Sequence, residues 1–377
     1  MRGVSGRDIL MCVAFSALSV AIAFLRFPGM PPAADGGEKF RAEVLEVDNS
    51  SVEEIGLLKK GEQRLKVKIL GGEYGGRIFE AHNFVRAQMD LDKIFSVGDV
   101  ALVSVPDGFD PASDTINAQD HYRTSKTFFL LGLFGLLLIW FGGIVGFKAL
   151  LSFVFSCVAI WKIVVPACLL GANAIAVCLV AVCALSAAII FLVAGFTRKG
   201  FAAFSGTALG VLASCAMAWA FSDWFKVNAA VMPFSQSLLY SGFEYLSLSD
   251  LFVGALFLSS SGAVMDLSMD VAAGMEEVRL NNPQIGARSL MRAGLNIGRS
   301  VVGTMTTTLL LAYSGGYLTL MMAYAANGVG IEDFISSPYV SAEMVKTVVG
   351  SFGLVLVAPF TAAAGAFILA GAGRREA

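Results

Sequence analysis

Long apolar segments constrain this chain more than any other feature. Hydrophobic residues make up 56% of its 377 residues and charged residues only 15%, whereas soluble domains carry about 25% charged residues. A helix of about 20 apolar residues crosses a bilayer with its backbone hydrogen bonds satisfied. The sequence therefore predicts an α-helical polytopic membrane protein with about eight transmembrane helices and argues against an ordinary soluble enzyme. The eight apolar stretches are residues 9–25, 128–147, 150–170, 174–196, 201–221, 251–270, 301–324 and 345–370.

Charged side chains are concentrated in one part of the chain. Of the 27 Lys and Arg and the 29 Asp and Glu, 29 side chains lie between residues 28 and 126. This segregation predicts a water-soluble module inserted into a chain otherwise built for lipid. We therefore divide the sequence into a transmembrane anchor (1–27), an extracytoplasmic β-rich module (28–126) and a seven-helix transmembrane bundle (127–377). Because the two signs of charge nearly cancel, we expect no nucleic-acid partner.

The module at 28–126 has the sequence pattern of β-strands. Gly-rich turns separate runs that alternate apolar with polar residues or are rich in β-branched residues, at 40–47, 64–70, 77–81 and 100–105. This pattern predicts a small five-stranded barrel or sandwich. Such a module either forms a rigid extracytoplasmic cap or binds an oligomeric ligand.

The distribution of Lys and Arg predicts the orientation in the membrane. With the N-terminus inside, eleven Lys and Arg near the ends of the spans fall on the inner side and four on the outer side, as the positive-inside rule requires. Both termini are therefore expected in the cytoplasm and the β-rich module outside it. Alternatively, the first apolar stretch is a cleaved signal peptide, because Ala21-Ile22-Ala23 resembles a cleavage site.

Two acidic residues interrupt the apolar stretch at 251–270. Asp266 and Asp270 are four residues apart, which places both carboxylates on one helix face together with Gly262. Acidic side chains inside a membrane are costly and usually face a bundle interior or a water-filled path. We therefore expect Asp266 and Asp270 to bind a proton or another ion, and Gly262 to allow close helix packing. Alternatively, Asp270 lies at the cytoplasmic edge and is simply hydrated.

The next apolar stretch carries a matching polar face. Its hydroxyls could relay ions, or they could bond to carbonyls of their own helix and serve packing. Arg299 could pair with Asp266 or Asp270, or its side chain could snorkel to the cytoplasmic surface. Gly303 allows close helix approach. The candidate residues on this helix are Asn296, Arg299, Ser300, Gly303, Thr304 and Thr308.

A cytoplasmic elbow at 272–297 is expected between these two stretches. Asn282 and Pro283 can end one helix and begin another, with Asn282 as the N-cap and Pro283 at the first helical position. Apolar residues are interspersed with Arg288 and Arg292 beyond this point. The elbow is therefore predicted to contain an amphipathic helix on the inner interface.

Few residues offer metal or catalytic chemistry. The chain has six cysteines, all in apolar stretches, and two histidines, His82 and His121. It has no Cys-x-x-Cys pair and no metalloprotease, nucleophile-elbow or P-loop motif. We therefore expect no disulfide framework, metal site, cofactor or enzymatic activity. Gly206 and Gly210 have GxxxG spacing, which could support a homo-oligomer or packing within the chain.

Two blocks of the sequence resemble the YibE/F-like family of bacterial membrane proteins. They are GAVMDLSMDVAAGMEEVRLNNP, which begins at Gly262, and SLMRAGLNIGRSVVGTMTTTLLLAY, which ends at Tyr313. In that family an acidic residue often follows the Gly-Arg pair and an Asn stands in the Thr run, whereas this chain has Ser300 and Thr307 there. The resemblance implies a multi-pass protein of a bacterial cytoplasmic membrane but no specific activity.

The order of segments is also similar to that of RND exporters and Sec-associated proton-driven accessory proteins. These proteins have an anchor, an exported module, an Asp-bearing span, a cytoplasmic elbow and a Thr-rich return span. The topological likeness favours a proton- or ion-coupled transporter or export accessory of unknown substrate. The alternative is a non-transporting scaffold or sensor whose exported module binds a partner or an envelope component.

Overall fold

The chain folds into two separate compact units. The computed structural model describes residues 6–25, 37–106, 108 and 115–370. One unit falls within residues 31–137, and the other comprises residues 1–30 and 138–377. The predicted boundary between residues 27 and 28 lies outside the described residues. The first unit continues past residue 126 into the start of a helix.

The first unit is a closed five-stranded barrel. Its strands are β1 (Gly37–Ile55), β2 (Leu58–Ile69), β3 (Ile78–Arg86), β4 (Val100–Pro106) and β5 (Ile116–His121). They are hydrogen-bonded in the order β1-β2-β3-β5-β4, and β4 pairs with β1 to close the barrel. The β3–β5 pair is parallel and the other pairs are antiparallel. The predicted five-stranded barrel is confirmed, and the sandwich alternative is wrong.

Alternate side chains fill the barrel. Every second residue is buried in β4 and, from Gln63 onward, in β2, so Leu65, Val67 and Val103 lie inside the barrel. Full burial of an aliphatic side chain of this size contributes about 1.5–3 kcal/mol. The period-two pattern in the sequence therefore accounts for the strand register.

A polar network crosses the interior of the barrel. The Gln63 amide nitrogen donates to the Phe95 carbonyl at 2.9 Å, and the Phe95 N–H donates to the Gln63 Oε1 at 3.0 Å. Asn83 Nδ2 donates to the same Oε1 at 3.1 Å and to the Lys93 carbonyl at 2.7 Å. Because Gln63 and Asn83 are fully buried, these bonds fix the segment before β4 against β2 and β3.

The described helices of the chain are connected mostly by short turns. α2 runs through a single π-helical turn, Ile160–Val164, into α3. The helices are α1 (Gly6–Ala23), α2 (Thr124–Ala159), α3 (Val165–Leu169), α4 (Ala174–Ala194), α5 (Arg198–Trp224), α6 (Ser235–Tyr240), α7 (Leu248–Asn281), α8 (Ala287–Gly316), α9 (Leu318–Ala326), α10 (Ile331–Ser336) and α11 (Pro338–Ala370).

Fewer helices than expected meet the requirements for a membrane span. Among the described residues, five helical segments are long and apolar enough to cross a membrane, or six if the pair α8 and α9, bent by 62°, is one span. The count of eight and the seven-helix bundle stay predictions, because this number rests on length and composition alone and takes Thr124–Leu169 as one segment. The apolar part of α1, Ile9–Ala23, is shorter than a full span. The stretches 128–147 and 150–170 lie in one helical segment of 46 residues, Thr124–Leu169.

The 46-residue segment is sharply bent at Gly143. This glycine has φ 54° and ψ −128°, outside the helical region, and such a positive φ is accessible mainly to glycine. A Cβ at Gly146 would collide with the Leu138 carbonyl, although residues eight apart in a straight helix are about 12 Å apart. The backbone therefore turns back at Gly143, where the sequence had predicted a break between residues 147 and 150.

The predicted elbow is much shorter in the structure. α7 continues to Asn281 and α8 begins at Ala287, so only residues 282–286 connect them. Asn282 is the C-cap of α7, and Gly286 precedes the first turn of α8. The prediction of Asn282 as an N-cap and of a separate interfacial helix is wrong. The Arg-bearing amphipathic segment is instead the first part of α8.

Glycines of α5 bring the central helices of the second unit together. A Cβ at Gly206 would overlap the Thr361 side chain of α11, and one at Gly210 would lie 3.0 Å from Val264 and Val357. Thr207 of α5 is also hydrogen-bonded to Ser268 of α7 inside this core. The GxxxG spacing therefore serves packing within the chain.

Candidate functional site

Asp266 and Asp270 lie near the middle of α7. Asp250 marks the first turn of this helix, and Glu276 forms an ion pair with Lys199 near its other end, at 2.9 Å. At 1.5 Å per residue, Asp266 is about 24 Å from Asp250 and about 15 Å from Glu276 along the axis. A hydrocarbon core of about 30 Å centred between these ends contains both aspartates.

The register of α7 and α8 places their polar residues at matching depths. The helices are antiparallel: a Cβ at Gly274 would lie 2.7 Å from Ile297 Cδ1, and one at Gly298 would lie 3.6 Å from Val271 Cγ2. Nearer the other end, the hydroxyls of Ser259 and Tyr313 are 2.9 Å apart. Asp270 is therefore level with Arg299 and Ser300, and Asp266 is level with Gly303 and Thr304.

These polar residues point away from the core of the unit. Their exposed side chains form one continuous surface along the two helices, which we name the α7/α8 polar face. In the described part of the chain, Arg299 forms no ion pair with Asp266 or Asp270, so one of the two alternatives for Arg299, pairing with these aspartates, is not formed. The α7/α8 polar face consists of Gly262, Asp266, Asp270, Asn296, Arg299, Ser300, Gly303, Thr304 and Thr308, all exposed.

The hydroxyls of α8 are bonded to their own helix. Ser300 Oγ donates to the Ile297 carbonyl at 2.7 Å, and Thr304 Oγ1 donates to the Val301 carbonyl at 2.9 Å. Thr308 Oγ1 donates to the Thr304 carbonyl at 3.0 Å. These bonds use the hydroxyl protons locally, whereas the oxygen lone pairs remain able to accept. The hydroxyls therefore do not form a connected relay to the aspartates within one chain.

Gly262 and Gly303 do not bring helices of this chain together. A Cβ at either position would meet no atom within 4 Å. The prediction that they pack helices is therefore wrong within the chain. Contacts between α7 and α8 instead involve Gly274, Gly294 and Gly298, which lie on the opposite, inward side of these helices.

A second charged cluster lies at the start of α11, and sequence reasoning missed it. Lys346 Nζ is 2.7 Å from Glu343 Oε1, and the two side chains are only 18% and 13% exposed. The same ammonium lies 5.5 Å from the centre of the Phe252 ring and 6.0 Å from that of Tyr317, within range of cation–π attraction. The signal in the sequence is a Glu and a Lys three residues apart at the start of an apolar stretch.

An apolar cavity of about 380 Å³ adjoins this cluster. Glu343 lines it together with Tyr313, Tyr317 and Met321. Glu343 Oε2 is buried and has no hydrogen-bond partner among the described residues. Because Tyr313 also contacts Ser259 of α7, polar groups lie along α7 and α8 from this cavity towards Asp266.

The comparison with known proteins identifies the family. No curated protein and no solved structure is significantly similar to the chain. The family model described as YibE/F-like protein matches residues 130–371, which include α7 and α8 with their polar face but not the barrel. The resemblance found in the sequence is thereby confirmed, and the chain belongs to the YibE/F-like family of membrane proteins.

Proposed function

We propose that this membrane protein is a proton- or ion-coupled transporter or export accessory of a bacterial cytoplasmic membrane. In this proposal Asp266 and Asp270 bind the coupling ion, and Arg299 provides the opposite charge at the same depth. The observation that supports the proposal is that Asp266 and Asp270 lie near the middle of α7, a helix long and apolar enough to cross a membrane, with Arg299 of α8 level with Asp270. The substrate is unidentified.

The energetic cost of these side chains supports a functional role. An Asp or Arg at the centre of a membrane helix costs about 2.5–3.5 kcal/mol on translocon-insertion scales. Asp266 lies close to the centre and carries this cost if lipid surrounds it, whereas Asp270 and Arg299 lie nearer the inner end of the two helices and each cost less. A folded domain is stable by only about 5–15 kcal/mol. A cost of this size therefore indicates that the charges are kept for a function or are offset by contacts with a partner.

The positive-inside distribution supports an orientation for this mechanism. We infer that both termini and the α7–α8 connection lie in the cytoplasm and that the barrel lies outside. α7 then runs from the outer to the inner side, with Asp266 and Asp270 in its inner half. In this orientation, the Glu343–Lys346 cluster lies nearer the outer surface, so ionisable groups are distributed over both halves of the membrane.

Proton movement through reconstituted protein tests the proposal. Purified protein in liposomes containing a pH-sensitive dye is exposed to a pH gradient and a potassium diffusion potential. We expect wild-type protein to move protons faster than protein-free liposomes and Asp266→Asn to abolish the difference. Asp250→Asn is the matched control, because Asp250 lies in the first turn of the same helix, and it should retain wild-type flux. Equal flux through wild type and Asp266→Asn, or wild-type flux no greater than that of empty liposomes, would contradict the proposal.

A surface feature of the barrel supports a second candidate function, that of a scaffold or sensor. A polar cavity of about 460 Å³ is lined by Arg86, Lys93 and Asn117. At its edge the ring of Phe84, 54% exposed, stacks on His82 at a centroid distance of 6.2 Å. An exposed aromatic beside polar side chains is suited to binding a polymer. If the barrel fused to an unrelated membrane anchor restores the phenotype of a deletion strain, this function is favoured over transport.

A further inference from the structure

We propose that a second copy of this chain covers the α7/α8 polar face, forming a two-fold symmetric dimer within the membrane. The inference does not depend on transport. It rests on the exposure, the charges and the depths of the residues on this face.

The α7/α8 polar face is unsuited to contact with lipid. It carries two carboxylates and a guanidinium on its exposed surface, and hydrocarbon tails offer these charged groups no hydrogen bond. The described residues of the same chain supply no ion-pair partner to Asp266, Asp270 or Arg299. Polar side chains in membranes pair with one another, face a protein interior or line a water-filled cavity. A protein partner on this side of α7 and α8 removes these charges from lipid.

The charges on this face are self-complementary. A two-fold axis along the bilayer normal keeps each residue at its own depth, and in such an interface residue i contacts residue j in both directions. Asp270 is level with Arg299 within one chain, so it is also level with Arg299 of the second copy. Two equivalent Asp270–Arg299 pairs then form across the interface. The α7/α8 polar face carries both signs of charge at one depth, so two copies of it can pair with each other. A different protein would need its own charges at the matching positions.

Two glycines make room for the partner. Gly262 and Gly303 lie on the α7/α8 polar face with open space around them. Small residues at exposed positions of membrane helices allow another backbone to approach closely. Their lack of any packing role within the chain is explained if the helices of a second copy occupy this space.

Photo-crosslinking of the full-length protein in its membrane tests the proposal. A photo-reactive amino acid is placed at Thr308, an exposed position of the α7/α8 polar face that already carries a side chain. The control position is Leu212 of α5, which is 49% exposed and at similar depth, because the nearby Gly210 adjoins Val264. We expect a crosslinked band of twice the subunit mass from Thr308 and none from Leu212. A band containing a different protein, equal bands from both positions, or no band would overturn the proposal.

Charge exchange between two differently tagged copies provides an independent test. Asp270→Arg alone places two guanidiniums at each contact, and Arg299→Asp alone places two carboxylates there. A mixed dimer of one Asp270→Arg copy and one Arg299→Asp copy restores both pairs. We expect each variant alone to lose dimer by roughly tenfold or more, and co-expression to restore a mixed dimer recovered through either tag. The proposal would be overturned if the mixed dimer were no more abundant than the dimers of either single variant. Gel filtration provides the folding control, because each folded variant should be recovered as a monomer in normal yield.

Discussion

Replacing Lys346 by Met removes the ammonium but keeps most of the side-chain volume. In the structure this ammonium lies 2.7 Å from Glu343 Oε1, and both side chains are largely buried. Breaking a buried ion pair by removing one partner costs about 3–5 kcal/mol, because the other charge remains buried and unpaired. Glu343 Oε2 already lacks a hydrogen-bond partner among the described residues. We therefore expect Lys346→Met to lower the free energy of unfolding by about 3–5 kcal/mol.

Removing both charges together should be much less harmful. Glu343→Gln combined with Lys346→Met leaves no buried charge, and replacing a whole buried pair by neutral groups is often close to neutral. We expect the double variant to lie within about 1–2 kcal/mol of wild type, the remainder reflecting lost attraction to the rings of Phe252 and Tyr317. The double variant should therefore be more stable than the Lys346→Met single variant.

The assay is reversible unfolding by SDS in mixed micelles, with Lys199→Met as the matched control. Lys199 also forms an ion pair, with Glu276 at 2.9 Å, but these side chains are 34% and 31% exposed. Solvent-exposed pairs contribute about 0–1 kcal/mol, so the control should lose no more than that. The reasoning is refuted if Lys346→Met costs no more than Lys199→Met, or if the double variant is as unstable as the single one.

Three further predictions concern packing, the barrel and topology. Gly206→Val should cost about 1–3 kcal/mol in the same SDS assay through overpacking, whereas Gly262→Val should leave monomer unfolding unchanged. Gln63→Leu should leave buried groups of the barrel unsatisfied, costing about 2–4 kcal/mol, and hydrogen exchange should show reduced protection in β2 and β3. Ser50→Cys in the barrel should react with an impermeant maleimide in intact cells, and Gln284→Cys in the α7–α8 connection only after lysis.

Each of these predictions has a result that would contradict it. Equal effects of the two glycine substitutions would mean that the packing of α5 against α11 is wrongly described. Unchanged exchange in Gln63→Leu would show that the buried amide network does not hold the barrel together. Labelling of Gln284→Cys from outside, with Ser50→Cys protected, would reverse the proposed orientation.

Periodicity and local composition made much of the fold predictable. Alternation of apolar and polar residues identified the strands around Val67 and Val103, because a strand has two faces and only one of them enters the barrel. Long apolar runs identified the helical segments, since backbone groups in lipid must bond within their own helix. The residues from Gly262 to Tyr313 carried the family resemblance that the family model then confirmed.

Features set by tertiary contacts were not predictable from the sequence. Asn282 has the residue type of an N-cap, but α8 begins only at Ala287 and Asn282 instead ends α7. The preference of Asn for N-cap positions gives no information on how far the preceding helix, α7, continues. The turn at Gly143 was likewise hidden, because nearby glycines in an apolar run are equally good candidates for a break.

The candidate site was predictable in position but not in surroundings. Spacing placed Asp266 and Asp270 on one face, and the face exists, but helical periodicity does not specify which side of a helix contacts its neighbours. Glu343 and Lys346 were missed for the opposite reason. Three residues apart, they have the spacing of a solvent-exposed helical pair, and only the arrangement of Phe252 and Tyr317 around them shows that they are buried.

The most direct test of the central claim is whether Asp266 binds and releases a proton inside the membrane. The measurement is the infrared difference spectrum between high and low pH for the protein reconstituted in lipid, in water and in D₂O. The account predicts a deuterium-sensitive carboxylic-acid carbonyl band that is present in wild type and Asp250→Asn but missing in Asp266→Asn. Identical difference spectra for wild type and Asp266→Asn would contradict the claim.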